Sequence, residues 1–388
     1  MKQLKVLIVT GMVLSLWHLP SHAQDSVAER LADLERRIQY LEDRVATQDE
    51  VIIEKERQIA KLMEHGVQVE KEEGWFDAVE VGGLLEVEAA YENPYEGDNS
   101  SDAVLATMEL AVTAQVTDWV GGEVVLLHEE DDTDLEVDVA IMTVGPAAGP
   151  WSFTAGQYFV PFGTFESNFI SDPMTLELGE TRESALQFGI ESGRFQGAVY
   201  AFNGDSDEDG DDRFENLGAM IGFAAENENS EFAVNVSYIS NIGDTDSLQD
   251  TIELDEDYDS VSGWSASGML RFGSLTFLAE YLGASEDFEA HEMEFDGDGA
   301  EPSSYMLEAA YDFDLAGKSS TIAVGYQETD EALALELPEE RFMLGFSIEM
   351  MEGVTLAVEG AFDDDYSVSD GGTGKDAEIV TVQLASEF

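Results

Sequence analysis

Residues 103–116 read AVLATMELAVTAQV. Val104, Ala106, Met108, Leu110, Val112, Ala114 and Val116 share one parity and are apolar, while Thr107, Glu109, Thr113 and Gln115 share the other. A period of two over this length predicts a strand with one apolar and one polar face. The alternation recurs at Tyr305, Leu307, Ala309, Tyr311 and Phe313 against Glu308 and Asp312. It recurs at Phe342, Leu344, Phe346, Ile348 and Met350 against Gly345, Ser347 and Glu349. Val354, Leu356, Val358 and Phe362 face away from Thr355 and Glu359. Such runs match the ~9–11 residues that a tilted strand needs to cross a bilayer.

Sixteen strands can be placed, the first near 79–91 and the last near 377–388. Short connections such as Ser192-Gly193 and Gly273-Ser274 alternate with long acidic ones such as 203–213 and 283–302. That alternation belongs to outer-membrane barrels; a soluble sandwich or propeller has no need of it. Tyr91, Trp119, Trp151, Tyr158, Tyr281, Phe313, Tyr326, Phe362 and Phe388 fall near strand ends, where interfacial girdles lie. The predicted fold is all-β, a sixteen-stranded antiparallel transmembrane β-barrel over 74–388. A strand ending in Phe388 carries the terminal aromatic that outer-membrane assembly reads.

The segment before the barrel has other periods. Lys2 and Lys5, an apolar run from Leu4 to Leu19 and Ser21-His22-Ala23 read as a signal peptide over 1–23. Within 24–73, Leu31, Ile38, Val45, Ile52 and Ile59 take heptad a positions. Val27, Leu34, Leu41, Gln48, Lys55 and Leu62 take d. This predicts a short periplasmic α-helical coiled coil, and hence a homo-oligomer, dimer or trimer.

Composition narrows function. The chain has 84 Asp plus Glu against 17 Lys plus Arg, a formal charge of −67, and no cysteine. Nucleic acid needs a basic surface and is excluded as a partner. Disulfides, thiol nucleophiles and thiolate metal sites are excluded with the cysteines. Past the signal only His65, His128 and His291 remain, at no catalytic or metal-binding spacing, so no enzyme is predicted. The charge is unevenly held: 24–73 carry 14 acids and 8 bases, which leaves 70 acids and 7 bases from residue 74 onward.

A sixteen-stranded barrel is wide enough for an aqueous channel. By parity its lining includes Glu109, Glu280, Glu308, Asp312, Glu349 and Glu359, with Glu80, Glu86, Glu88, Glu123 and Glu378 beside them. Arg271 is the clearest inward base. Rings of acids favour cations. The connection 160–182, VPFGTFESNFISDPMTLELGETR, differs from the other long loops. Phe162, Phe165, Phe169, Ile170, Met174 and Leu176 would not sit well in bulk water, so this loop is expected to fold inward and narrow the channel. Asp172, Glu177, Glu180, Arg182 and Glu183 would then border the constriction, opposed acids and a base setting a transverse field. Asp205, Asp207 and Asp209, followed by Gly210, match the first half of an EF-hand loop, but Asn216 stands at the twelfth position. They are a weak Ca²⁺ candidate, an acidic loop that binds the ion opportunistically; no other cofactor is implied.

The run GQYFVPFG at 156–163, followed by FESNFISDPMTLELGETRESAL at 165–186, resembles the signature of LbtU-type siderophore porins. The signal peptide and short coiled coil match that layout. The resemblance implies a TonB-independent outer-membrane barrel for uptake of an iron-chelating small molecule. Two other readings stay open: a general cation-preferring diffusion porin, and a structural barrel tethered to the cell wall through its coiled coil. Outer-membrane lipids and lipopolysaccharide are expected partners in each.

Overall fold

The computed structural model describes residues 78–388 except 131–132, 147–148, 205–213, 215, 228, 253–257 and 259. The signal peptide over 1–23, the heptads within 24–73 and Asp205, Asp207 and Asp209 lie outside the described residues.

Sixteen strands close into one antiparallel barrel in which each pairs with its chain neighbours. They are β1 (Ala78–Asn93), β2 (Ser100–Thr117), β3 (Val120–His128), β4 (Glu136–Val144), β5 (Trp151–Phe159) and β6 (Arg182–Ser192). Next come β7 (Phe195–Phe202), β8 (Asn216–Asn227), β9 (Ser230–Ile239), β10 (Gly263–Phe272) and β11 (Leu275–Ala284). The last five are β12 (Ser303–Leu315), β13 (Lys318–Asp330), β14 (Glu340–Met351), β15 (Val354–Asp364) and β16 (Asp376–Glu387). β1 pairs with β16 from Leu84↔Glu387 to Asn93↔Glu378, so no edge is left open. Two short helices, α1 (Met174–Gly179) and α2 (Asp246–Thr251), lie in the loops after β5 and β9.

The connections alternate in length. At one end most have two residues, and Gly193 and Gly273 there take φ of 67° and 59°, as tight hairpin turns require. At the other end they are long, with 22 residues over 160–181 and 23 over 240–262. Short turns mark the periplasmic side of such barrels and long loops the outer side. The acidic turn Asp296-Gly297 joins a two-residue ribbon, Glu294–Phe295 with Asp298–Gly299. Among the described residues, no cluster of acids or histidines could hold a metal ion.

The period of two holds because one face meets lipid. Val81, Ile221 and Phe272 are 61%, 63% and 65% exposed, positions that only a hydrocarbon surround makes favourable. Trp264 stacks near Tyr281 at 4.7 Å at the long-loop end, and Trp119 near Trp151 at 6.1 Å at the short-turn end. Tyr158 is not part of either girdle. Its parity is opposite to that of Trp151 and Phe159, and it is buried inside the barrel.

Two further assignments change with register. Ala106 has no cross-strand partner: Thr107 pairs with Glu86, whereas Leu105 pairs with Val87 and Val104 with Glu88. The bulge flips parity, so Leu105 rather than Val104 shares the outward face of Val87. Glu378 lies opposite Phe362 and Asn93, on the face of the lipid-exposed Val380, and so points outward at the rim.

The lumen is not uniformly open. Inward residues of β5 to β11, among them Tyr200, Phe202, Ile239 and Leu282, pack with Phe162, Leu178 and Ile242 from the loops. This apolar core fills the long-loop end of that half of the barrel.

Candidate functional site

The loop 160–181 leaves β5 and crosses the inner wall on three glutamates. Gly163 and Phe165 have φ of 97° and 54°, and this turn brings successive N–H groups toward one point. There, Thr164 N–H donates to Glu280 at 2.7 Å and Phe165 N–H at 2.9 Å; the Thr164 and Thr175 hydroxyls add two contacts at 3.3 Å. Three residues on, Ser167 Oγ donates to Glu308 at 3.0 Å and Asn168 N–H at 3.2 Å. Three residues further, the N–H groups of Ile170 and Ser171 and the Ser171 hydroxyl all donate to Glu359, the Ser171 N–H at 3.2 Å. The carboxylates stand on β11, β12 and β15, each 3–6% exposed. A buried carboxylate is tolerable only when its lone pairs are filled, and these charge-assisted bonds fill them.

Apolar groups finish the attachment. The Phe169 ring lies over Gly325 and Gly345, where a Cβ on Gly325 would come within 2.5 Å of it. Gln327 accepts from Met174 N–H at 2.7 Å, and Met174 and Leu178 of α1 are wholly buried. The return to β6 is tied to the next loop, Asp246 N–H donating to Glu180 C=O at 2.8 Å and Arg182 N–H to Asp246 at 3.0 Å.

The predicted site residues therefore divide. Glu280, Glu308 and Glu359 lie inward but beneath the loop, as its anchors. Glu109, Asp312 and Glu349 are inward and keep contact with the lumen; Asp312 accepts from the Thr321 hydroxyl at 2.7 Å. Asp172 and Glu177 are exposed and Glu180 is half-buried. Glu183 is buried in β6 opposite Tyr158, away from the open surface. Arg182 is held by Glu136 and by Asp138 at 3.1 Å. Its charge is thus consumed locally, so the base of the expected acid-against-base constriction is already paired.

Asp172 keeps solvent contact but sits deep in the barrel. Desolvation first, then the charges of Glu177, Glu129, Glu88 and Glu359, push its carboxyl up to about 6. Desolvation and then Asp246, Asp172, Asp138 and Glu177 push Glu180 up to about 8. Asp172 also bears on Glu86. The acids that bear on Asp172 and Glu180 thus include Glu88 of β1, Glu129 just past β3 and Asp138 of β4.

Sequence reasoning passed over three members. Arg341 grips Asp363 through two bonds of 2.8 Å on the inward face, and its parity with Gly345 and Ser347 already places it there. Glu129 lies at the mouth, just past β3. Asp138 is a bulge residue without a register partner, so its inward position has no signal in the alternation.

No family model matches the chain. Among curated proteins it is 26% identical over 313 residues to a UPF0422 protein of Coxiella burnetii, covering 77% of this chain and 67% of the relative. It is 27% identical over 357 residues to a UPF0422 protein of Legionella pneumophila, covering 80% and 66%. The chain therefore spans about two thirds of the length of these relatives. Among solved structures, the outer membrane channel DcaP of Acinetobacter baumannii aligns over 80% of this chain and 97% of its own, with TM-score 0.55 and 17% identity. OprB of Pseudomonas putida aligns over 80% and 94%, with TM-score 0.56 and 10% identity. OmpT of Vibrio cholerae in its trimer form aligns over 80% and 100%, with TM-score 0.52 and 14% identity. At these identities the likeness is one of fold: a porin-like barrel of the outer membrane.

Proposed function

We propose that the chain is a diffusion channel that passes small cationic or neutral solutes through the outer membrane without an energised receptor step. One observation carries this reading. The loop 160–181 lies across the lumen on Glu280, Glu308 and Glu359, and on this reading the passage beside it runs between Asp172, Glu177 and Glu180 and the β1–β2 acids Glu86, Glu88 and Glu109. A path acidic on both sides concentrates cations and repels anions.

The resemblance to siderophore porins names ferric siderophore as a candidate solute. The acidic passage restricts which one: a neutral or cationic ferric complex, such as a tris-hydroxamate, suits it, and a tris-catecholate trianion does not. The heptads ahead of the barrel would join copies in the periplasm as a dimer or trimer.

Single-channel recording of the purified protein in planar bilayers is the test. Discrete current steps are expected; a protein that inserts but carries no current would end the channel reading and favour the tethering barrel. For the siderophore, iron uptake by a deletion strain under iron limitation should fall for a hydroxamate complex and stay unchanged for a catecholate.

A further inference from the structure

The lipid-facing wall carries a groove and a charged row that the channel does not use. On β10 to β14, Gly268, Ala279 and Ala309 form a low floor between Phe277, Leu307 and Phe342, leaving an apolar groove of about 530 Å³. Just beyond its long-loop end, register aligns four carboxylates on the same outward face. Glu328 lies opposite Glu340, Glu340 opposite Asp364, and Asp364 opposite Asp376. Glu328 follows Tyr326 by two residues and Glu340 precedes Phe342 by two, and both aromatics line the groove. The row therefore stands one pleat, ~7 Å, above the groove. Tyr305 and Tyr326 both donate their hydroxyls to Glu328 Oε2, Tyr326 at 2.7 Å, which orients that carboxylate at the groove mouth.

Like charges directly opposite in a sheet destabilise it. Of the bases at these strand ends, Arg341 turns inward to Asp363 and Lys375, just before β16, reaches Glu96 at 2.7 Å. Nor do the acids converge for an ion, since no cluster among the described residues could hold a metal. What fits an apolar furrow capped by separate carboxylates is an amphiphile with a cationic head. A second copy of this chain would set its own excess of acids against the row, and an anionic lipid head would be repelled likewise.

We propose that the groove and the row form one site for a membrane lipid whose head group carries a protonated amine. The acyl chain lies over Gly268, Ala279 and Ala309, and the ammonium sits on Glu328 and Glu340. The site rests on the barrel standing in a membrane and is independent of what the lumen passes.

The full-length protein is purified in detergent with EDTA and offered phosphatidylethanolamine or phosphatidylglycerol of identical acyl chains; native mass spectrometry reads the lipid retained. Retention of the ethanolamine lipid roughly tenfold over the glycerol lipid is expected. The double variant E328Q/E340Q should bring the two lipids within about twofold while still binding both. Ala309→Trp, which fills the groove, should abolish retention of both, with folding checked by heat-modifiable electrophoretic migration. Equal retention by the unaltered protein, preference for the glycerol lipid, or a preference unchanged in E328Q/E340Q overturns the proposal. So does loss of oligomer mass, in place of lipid mass, in Ala309→Trp, which would assign the groove to a second copy.

Discussion

A glutamate in a barrel wall has two fates: it faces water, or it is buried with donors supplied to it. Parity cannot separate them. Glu109 and Glu280 both read as inward acids, yet Glu109 meets the lumen and Glu280 takes two N–H groups and two hydroxyls from the loop. The difference lies 116 residues away in the chain, at Thr164, and exists only once the barrel closes. A partial signal was present: hydroxyl or amide side chains at Thr164, Ser167, Asn168 and Ser171 recur about every three residues, the spacing with which the wall acids are met. Replacing Glu280 by Ala removes an acceptor from four donors, and a buried donor left unsatisfied costs about 1–3 kcal/mol. The loop should loosen, seen as increased open-channel current noise at unchanged fold. Noise equal to that of the unaltered channel would mean the loop does not depend on this anchor.

The two displaced carboxyls make a pH prediction at the same scale. Both are raised, Asp172 to about 6 and Glu180 to about 8, so their charged forms are disfavoured in the folded state. On lowering the pH from 9 to 5, Glu180 takes up its proton first and Asp172 second. Cation preference should therefore weaken in two steps near pH 8 and 6, far above the range of ordinary carboxylates. Glu180→Gln should remove the upper step alone. The sign for stability follows too. A raised carboxyl stabilises below its unfolded value and loses that contribution as pH rises through the folded value. Glu180→Gln should thus raise the thermal midpoint at pH 9 and leave it unchanged at pH 4.

Among the elements, the strands were the most legible, because lipid on one side and water on the other impose a strict period of two. The alternation failed where the backbone itself gained a residue, as at Ala106 and Asp138, and at the rim, where Glu378 takes the outward face. The loop 160–182 was legible through its apolar content, since Phe162, Phe169 and Met174 need a wall to cover them. Its path was not, because Gly325 and Gly345 announce nothing in sequence until Phe169 lies on them. Removing residues 163–180 should raise unit conductance severalfold, since the segment spans the lumen between β5 and β15. Gly325→Val should act in the same direction more weakly, as its side chain meets the Phe169 ring and lifts the loop from the wall. Conductance unchanged by the deletion would put the loop outside the conducting path.

For the whole molecule, the formal charge of −67 acquires a geometry. Few bases soften the acid of residues 74–388: Arg182 and Arg341 are committed to carboxylates, and Arg271 stands by Glu231 at 3.5 Å near the short-turn end. Uncompensated acid then sets the potential of a narrow water-filled path. Such a potential reaches only about 10 Å at 0.1 M salt and about 3 Å at 1 M. A passage selective by charge should lose its preference as salt rises, while one selective by fit should keep it. The reversal potential across a tenfold KCl gradient should therefore favour K⁺ strongly with 0.01 M on the dilute side. The preference should decline toward that of bulk solution when both sides are raised tenfold. Neutralising Asp172 and Glu177 together should flatten this salt dependence, and doing so at Asp312 and Glu349, nearer the short-turn end, should not. A preference for Cl⁻ at low salt would contradict the acidic passage, and a K⁺ preference indifferent to salt would move selectivity from the field of these carboxylates to direct coordination at the constriction.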